Sequence, residues 1–220
     1  MINKTDDLRI INTQELISPK DIISQLSPSK SGIDTIIKTR SEIKDILDKK
    51  SKKFVIVVGP CSIHDVDAAK EYAAKLKNLK NELSENILLI MRAYFEKPRT
   101  VIGWKGLIND PDLDGSFKIN KGIKIARQLL MDLSEMNIPC GHEFLDLVSP
   151  QYISDLISWG AIGARTTESQ SHRELASGLS CPVGFKNGTD GSIQIAIDAM
   201  NAARNSHSFL SVTKEGKSAI

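Results

Sequence analysis

A chain of 220 residues with 40% hydrophobic and 25% charged side chains is long enough for one sizeable core and has the balance of an ordinary water-soluble globular protein. A net charge of +2 with 5% aromatics argues against a nucleic-acid binder, because the basic residues alternate with acids and no base-stacking surface is available. The N-terminus lacks a secretory apolar core, and no apolar run approaches the ~20 residues of a membrane span. Cys61, Cys140 and Cys181 lie far apart and are odd in number, so no disulfide scaffold is expected and a reducing cytoplasm fits best.

In chain order, residues 1–30 read as an arm. Ser18-Pro19-Lys20-Asp21 is a helix start with Ser at the N-cap and Pro at the first helical position, and the short helix ends before Ser27-Pro28. Residues 33–47 form an amphipathic helix with Ile33, Ile36, Ile37, Ile43, Ile46 and Leu47 at helical spacing. Phe54 to Val58 is a buried strand closed by Gly59-Pro60-Cys61-Ser62. Asp65 then caps a helix that turns Val66, Ala69, Ala73, Leu76 and Leu83 to one side.

A second continuous apolar run, Ile87 to Met91, leads into Arg92, Lys97, Arg99 and Lys105. Residues 122–136 are helical, with Ile123, Ala126, Leu129, Leu130 and Leu133 inward. Pro139 to Leu145 is a third strand, and Pro150 opens a helix ending at Trp159-Gly160. Ala161 to Ala164 is a fourth strand, 171–177 a short helix, and Pro182 to Phe185 a fifth strand leading to Lys186. Asp190 starts a helix with Ile193, Ile197 and Met200, and Ser208 to Val212 is a sixth strand before a hairpin turn at Lys214-Glu215-Gly216.

Strands alternating with helices imply βα units and a parallel sheet. The polar residues select a barrel over an open sheet: Gly59-Pro60-Cys61-Ser62, Arg92, Arg165 and Lys186 each end a different strand and would converge on one mouth. No Gly-x-Gly-x-x-Gly follows the first strand, which counts against a dinucleotide fold. Several cations past the ends of buried strands suit an anionic substrate, since Arg offers a planar fork to phosphate or carboxylate and Lys a mobile point charge. The expected fold is therefore an α/β (β/α)8 TIM barrel with an N-terminal extension, residues 1–50 forming the extension and 51–220 a partial barrel of about six units. Such a barrel needs eight strands and typically ~250 residues, so either the sheet is open or the sequence lacks its last quarter.

Val57-Val-Gly-Pro-Cys-Ser-Ile-His-Asp65, Tyr94-Phe-Glu-Lys-Pro-Arg-Thr100, Gly103-Trp-Lys-Gly-Leu-Ile-Asn-Asp-Pro111, the run from Trp159 to Gln170 and Pro182-Val-Gly-Phe-Lys-Asn-Gly-Thr-Asp190 closely resemble the 3-deoxy-D-arabino-heptulosonate 7-phosphate (DAHP) synthases, of the bacterial type regulated by aromatic amino acids. The resemblance covers essentially the whole chain. It implies a transferase of the shikimate pathway that condenses phosphoenolpyruvate with erythrose 4-phosphate and releases phosphate, as the first step of chorismate and aromatic amino-acid biosynthesis. It assigns Arg92, Arg165 and Lys186 to phosphoenolpyruvate and Lys97, Arg99 and Thr100 to erythrose 4-phosphate, with Lys97 and Arg92 as catalytic groups.

The resemblance also implies a divalent metal (Mn, Fe or Zn) with Cys61 as one ligand, the family's His, Glu and Asp ligands being absent from these residues. His142-Glu143 makes a poor substitute, because neighbours on a strand point to opposite faces. The expectation is that the 220 residues alone neither bind metal well nor turn over. Feedback inhibition is implied through an effector pocket matching Asp146, Pro150, Leu175, Leu179, Ser180, Phe209 and Ser211, with Asp6, Asp7 and Ile10 of the arm, in a homodimer or homotetramer. The Asp110-Pro111-Asp112-Leu113 and Phe209-Leu210-Ser211 neighbourhoods incline the choice of effector toward tryptophan. Two other readings were weighed: a sibling enzyme using a five-carbon sugar phosphate, disfavoured by Lys97-Pro98-Arg99-Thr100, and a non-catalytic effector-binding remnant.

Overall fold

The computed structural model describes residues 5–220. Five short strands, β1 (Phe54–Val58), β2 (Ile87–Arg92), β3 (Cys140–Glu143), β4 (Trp159–Ile162) and β5 (Val183–Phe185), pair in parallel in that order. Chain neighbours are thus sheet neighbours, the result of laying successive βα units in one direction. The connecting helices are α3 (Val66–Glu82), α4 (Ile119–Glu135), α5 (Pro150–Ile153, continued by a 3-10 turn) and α6 (Gln170–Gly178). The extension contributes α1 (Pro19–Gln25) and α2 (Lys30–Leu47), and α7 (Gln194–Ala203) follows β5.

The register separates two faces. Val55 and Val57 align with Leu88 and Ile90, Arg92 with Gly141, Glu143 with Ala161, and Ala161 with Gly184, so these side chains share the inner face of a curled half-barrel. The outer face carries Leu89, Met91, Cys140 and Ile162 into the main core, beneath Ala69, Ala73 and Leu76 of α3 and Leu129, Leu130 and Leu133 of α4. Ile43 of α2 packs on Leu88 and Ile90 of the inner face, with Ile46 beside it. Trp159 needs Gly184 opposite it: a Cβ there would sit 2.3 Å from the indole ring.

Local chemistry sets the helix starts: those at Ser18 and Asp65 are the expected ones, and α2 begins at Lys30 instead of at residue 33. Ser18, Ser29 and Asp65 cap α1, α2 and α3 by accepting from the backbone amides of Asp21, Gly32 and Ala68. The extension is fastened by buried polar contacts. The fully buried Arg127 of α4 donates to Leu26 O and Tyr152 O and forms a two-pronged pair with Asp155 at 2.7 and 2.8 Å. Arg40 of α2 donates to Ile157 O and Ser154 O.

Five expectations are corrected. The strand Phe54–Val58, expected to be buried, lies at the edge of the sheet and leaves Phe54 and Ile56 exposed. The segment read as a sixth parallel strand pairs only through Ser211–Val212 (β6), antiparallel to Ser218–Ala219 (β7), so the parallel sheet of the described residues has five strands; the turn at Lys214–Gly216 joins this hairpin. The helix opened by Pro150 stops at Ile153, and Trp159-Gly160 begin β4 instead of ending that helix. The last helix begins at Gln194 and buries Ala196 and Ala199, leaving Ile193, Ile197 and Met200 exposed. Of the apolar face predicted on α2, Ile36 and Ile43 are buried but Ile33, Ile37 and Leu47 are exposed.

Candidate active site

The carboxyl ends of β1, β2, β4 and β5 deliver Cys61, Arg92, Arg165 and Lys186 through the loops that follow them. The first two loops are tied together by Ile63 N donating to Tyr94 O at 2.9 Å. Lys97 N donates to Lys105 O, closing a turn in which Gly106 has φ +109° and a Cβ would lie 2.1 Å from Phe95 O, so only glycine fits. Arg99 Nε donates to Trp104 O at 2.8 Å, which fixes that side chain along the same loop, with exposed Thr100 beside it.

Arg92 and Lys186 line one cavity of about 280 Å³ together with Tyr94, Glu143, Trp159 and Gly184. The Arg92 guanidinium lies 4.2 Å above the Tyr94 ring, a cation–π contact that holds it flat. Its Nη2 reaches Cys61 O at a long 3.4 Å, and its buried Nε has no hydrogen-bond partner. A half-buried guanidinium with an unused donor at a cavity wall is chemically suited to an anion, since leaving that N–H unpaired is costly. Glu143 faces the same space, its carboxyl pushed up by burial, with His142 and Arg92 opposing the shift.

Cys61 is exposed, and Lys97 Nζ lies 2.7 Å from its sulfur. That ammonium hydrogen bond pulls the thiol below its ordinary range, burial working against it and Arg92 adding a smaller pull. The structure therefore brings together Arg92 and Lys186 in one cavity, and Arg92, Cys61 and Lys97 by contact at its edge. Arg165 stands exposed in the turn after β4, outside that cavity's lining and with no hydrogen bond or ion pair to other described residues. Its turn is joined to β5 by Thr167 Oγ1 donating to Lys186 O at 2.9 Å.

The residues present do not make a metal centre. Among the described residues no three His, Cys, Asp or Glu side chains gather to hold an ion, and the Cys61 sulfur at the mouth is engaged by an ammonium. His142 is unsuited as well, being fully buried with Nδ1 2.8 Å from Ala93 O and Nε2 3.3 Å from Glu96.

The expected effector residues are spread over neighbouring segments. Asp146 accepts from Val148 N and Ser149 N, and Pro150 and Leu175 are buried, with Leu179 packed against the core. Phe209 lies over Gly178, and Ser211 pairs with Ala219. Ser180 lines a groove with Ile36, Arg40 and Lys214 to which the others of the set do not contribute. Asp6 and Asp7 are exposed, and Ile10 lines a different groove with Phe117 and Lys118.

Sequence reasoning missed three residues. Tyr94 supports Arg92 and Glu143 faces it; counting alternate positions along β3 from Gly141 would have put Glu143 on the inner face. Glu96 is buried and accepts from Asp146 N at 3.2 Å and Ser149 Oγ at 3.1 Å, linking the loop of Lys97 to that of Asp146. A lone acid between Phe95 and Lys97 carried no signal for that role.

Comparison with known proteins gives concordant likenesses. A family profile described as "DAHP synthetase I family" matches residues 30–219. The chain is 57% identical over 217 residues to "Phospho-2-dehydro-3-deoxyheptonate aldolase, Phe-sensitive" of Escherichia coli (strain K12), covering 99% of this chain and 62% of that protein. It is 53% identical over 220 residues to the Trp-sensitive aldolase of the same strain, covering 100% of this chain and 63% of that protein. A solved structure of phospho-2-dehydro-3-deoxyheptonate aldolase from Francisella tularensis SCHU S4 superposes with a TM-score of 0.94 at 54% identity, over 96% of this chain and 62% of that one. The chain thus spans somewhat less than two thirds of these relatives.

Proposed function

Because the chain belongs to the DAHP synthetase I family, we propose that it carries the phosphoenolpyruvate-holding wall of an enzyme that joins phosphoenolpyruvate to erythrose 4-phosphate. We read its five parallel strands as part of a (β/α)8 barrel, with residues 1–50 as the extension. The single observation that carries the reading is the sharing of one cavity by Arg92 and Lys186, from different strands, with Arg92 Nε buried and unpartnered.

Phosphoenolpyruvate brings two anionic groups. Arg92, held by Tyr94, offers a fixed fork to one of them, and Lys186 a mobile charge to the same molecule. Arg165, exposed in the turn after β4, is the further cation that would serve the second anionic group. Lys97, Arg99 and Thr100 sit on the adjoining loop and would receive the sugar phosphate. The new carbon–carbon bond forms between the enol carbon and the aldehyde carbon, whose oxygen gains negative charge that the Lys97 ammonium can answer. Water adds to the neighbouring carbon and the phosphate leaves. Holding two anions in attacking geometry supplies much of the rate. The family likeness implies a divalent metal, for which Cys61 would be the single donor among the residues at this mouth.

An aromatic amino acid is the proposed effector of a homo-oligomeric enzyme, supported by the Phe- and Trp-sensitive names of relatives at comparable identity; those identities do not choose between the two. The reading is tested by calorimetric titration of the chain with phosphoenolpyruvate. Arg92→Ala should weaken binding about tenfold to a hundredfold, the worth of a charged hydrogen bond. Unchanged affinity in both Arg92→Ala and Lys186→Ala would overturn it.

A further inference from the structure

A second set of cations gathers at the opposite end of the sheet, by the starts of β1 and β2. Lys38 on α2, Lys53 just before β1 and Lys80 in the last turn of α3 line a cleft of about 190 Å³ with Glu42, Thr39 and Asn137. Glu42 is the one carboxylate in that lining, and it meets Lys38 at 3.8 Å and Lys53 at 4.0 Å, the outer limit of an ion pair. Lys80 has no acid; its Nζ donates to Asn137 O at 2.6 Å and Asn137 Oδ1 at 3.0 Å. Three lysines against one glutamate leave a net charge of +2 within this small space.

Several features separate the cleft from a solvated basic patch. The Lys53 and Glu42 side chains are only 32% and 30% exposed, so their charges act in a medium less screening than water. Burial pushes the Lys80 ammonium down; Glu42 opposes this, while Lys38 and Lys77 push it further. Asn81 and Ser84 add an amide and a hydroxyl to the rim. The volume lies below the ~300 Å³ at which drug-sized ligand pockets begin, which suits a compact oxyanion rather than a cofactor.

We propose that this cleft is an anion site that takes a phosphate group between α2, the start of β1 and the end of α3, independent of the cavity at the other end of the strands. A phosphate oxygen would accept from Lys53 and Lys80 at once, replacing the long contacts to Glu42. By joining the extension to the sheet it would stabilise the fold, as any ligand bound only by the native state does. The source of the group, free phosphate or a phosphate monoester, is read by comparing the two as ligands.

The experiment uses the 220-residue chain with Arg92→Ala and Lys186→Ala, which disables the cavity at the mouth. Melting temperature is followed against inorganic phosphate and against glycerol 3-phosphate, with chloride at matched ionic strength as control. A saturable rise above chloride is expected, with an affinity about tenfold weaker once Lys53→Gln removes one charge–phosphate contact. Lys80→Gln should weaken it likewise, and if that variant does not fold, Lys38→Gln with Lys53→Gln serves instead. A larger rise with one ligand identifies the source. No rise above chloride, or a rise untouched by the lysine changes, overturns the site.

Discussion

Replacing Arg127 by Met should loosen the extension from the sheet without touching the cavity. Arg127 is fully buried and makes four hydrogen bonds, to Leu26 O, Tyr152 O and both oxygens of Asp155. Breaking a buried ion pair by removing one partner costs about 3–5 kcal/mol. Asp155 keeps 38% of its side chain exposed, so its orphaned carboxylate can rehydrate and the low end, about 3 kcal/mol, applies. For a chain of this size 1 kcal/mol moves Tm by about 2–4 °C, so a fall of about 6–12 °C is expected. Circular-dichroism melts measure it, and hydrogen exchange should show the α1 amides losing protection first, because the bond to Leu26 O is the one that reaches across to the extension. Asp155→Asn, which keeps the shape and loses the charge, should cost less. A Tm fall below about 2 °C in Arg127→Met would refute the reasoning, since the ledger in which an uncompensated backbone carbonyl and a lost fork each count would then be wrong.

Three further outcomes follow from the same geometry. Glu143 binds its proton more tightly when folded, so its contribution to stability is fully present below the unfolded value near 4.5 and is lost as pH rises through the raised native value. Glu143→Gln, uncharged throughout, should therefore be more stable than wild type at pH 7 in urea melts and close to it at pH 4. Lys97→Met should slow alkylation of Cys61 at pH 7 several-fold, because the ammonium that favours the thiolate is gone; Cys140, buried and pushed up to about 12, and the buried Cys181 do not compete for the reagent. Gly106→Ala should destabilise by more than the about 1–3 kcal/mol of a strained backbone position, because the added Cβ also collides with Phe95 O, read as a lowered urea midpoint.

Much of the architecture could be read before any coordinates because its signals are strong. Phe54–Val58 and Ile87–Met91 are too continuously apolar to be read as anything but strands, although only the second is covered on both faces, and Leu129, Leu130 and Leu133 repeat at helical spacing over a long element. The errors fall where elements are short. β4 has four residues, one of them Gly160, and follows a helix that ends after one turn, so periodicity had nothing to measure. Ser208 to Val212 carries Phe and Leu like a buried strand, yet Leu210 is exposed and only two residues pair, with a hairpin partner rather than the sheet. At α7 the isoleucines mark an apolar face, but it is the small residues Ala196 and Ala199 that are buried in a helix packed on α6 and β5.

Cations at strand ends were legible because charge beside a buried run has few structural uses, and this found Arg92, Lys97 and Lys186. Tyr94, Glu143 and Glu96 were hidden because each acts through a neighbour: a ring beneath a guanidinium, a carboxyl facing it, and an acceptor joining two loops. Such roles depend on which loops meet, and the order of residues along a chain does not state that.

The most direct measurement is a crystal structure of the chain soaked with phosphoenolpyruvate. The account predicts its phosphate or carboxylate bound between Arg92 and Lys186, with Arg92 Nε donating to an oxygen of the ligand. Phosphoenolpyruvate bound elsewhere, or an Arg92–Lys186 cavity holding only water at saturating ligand, would contradict it.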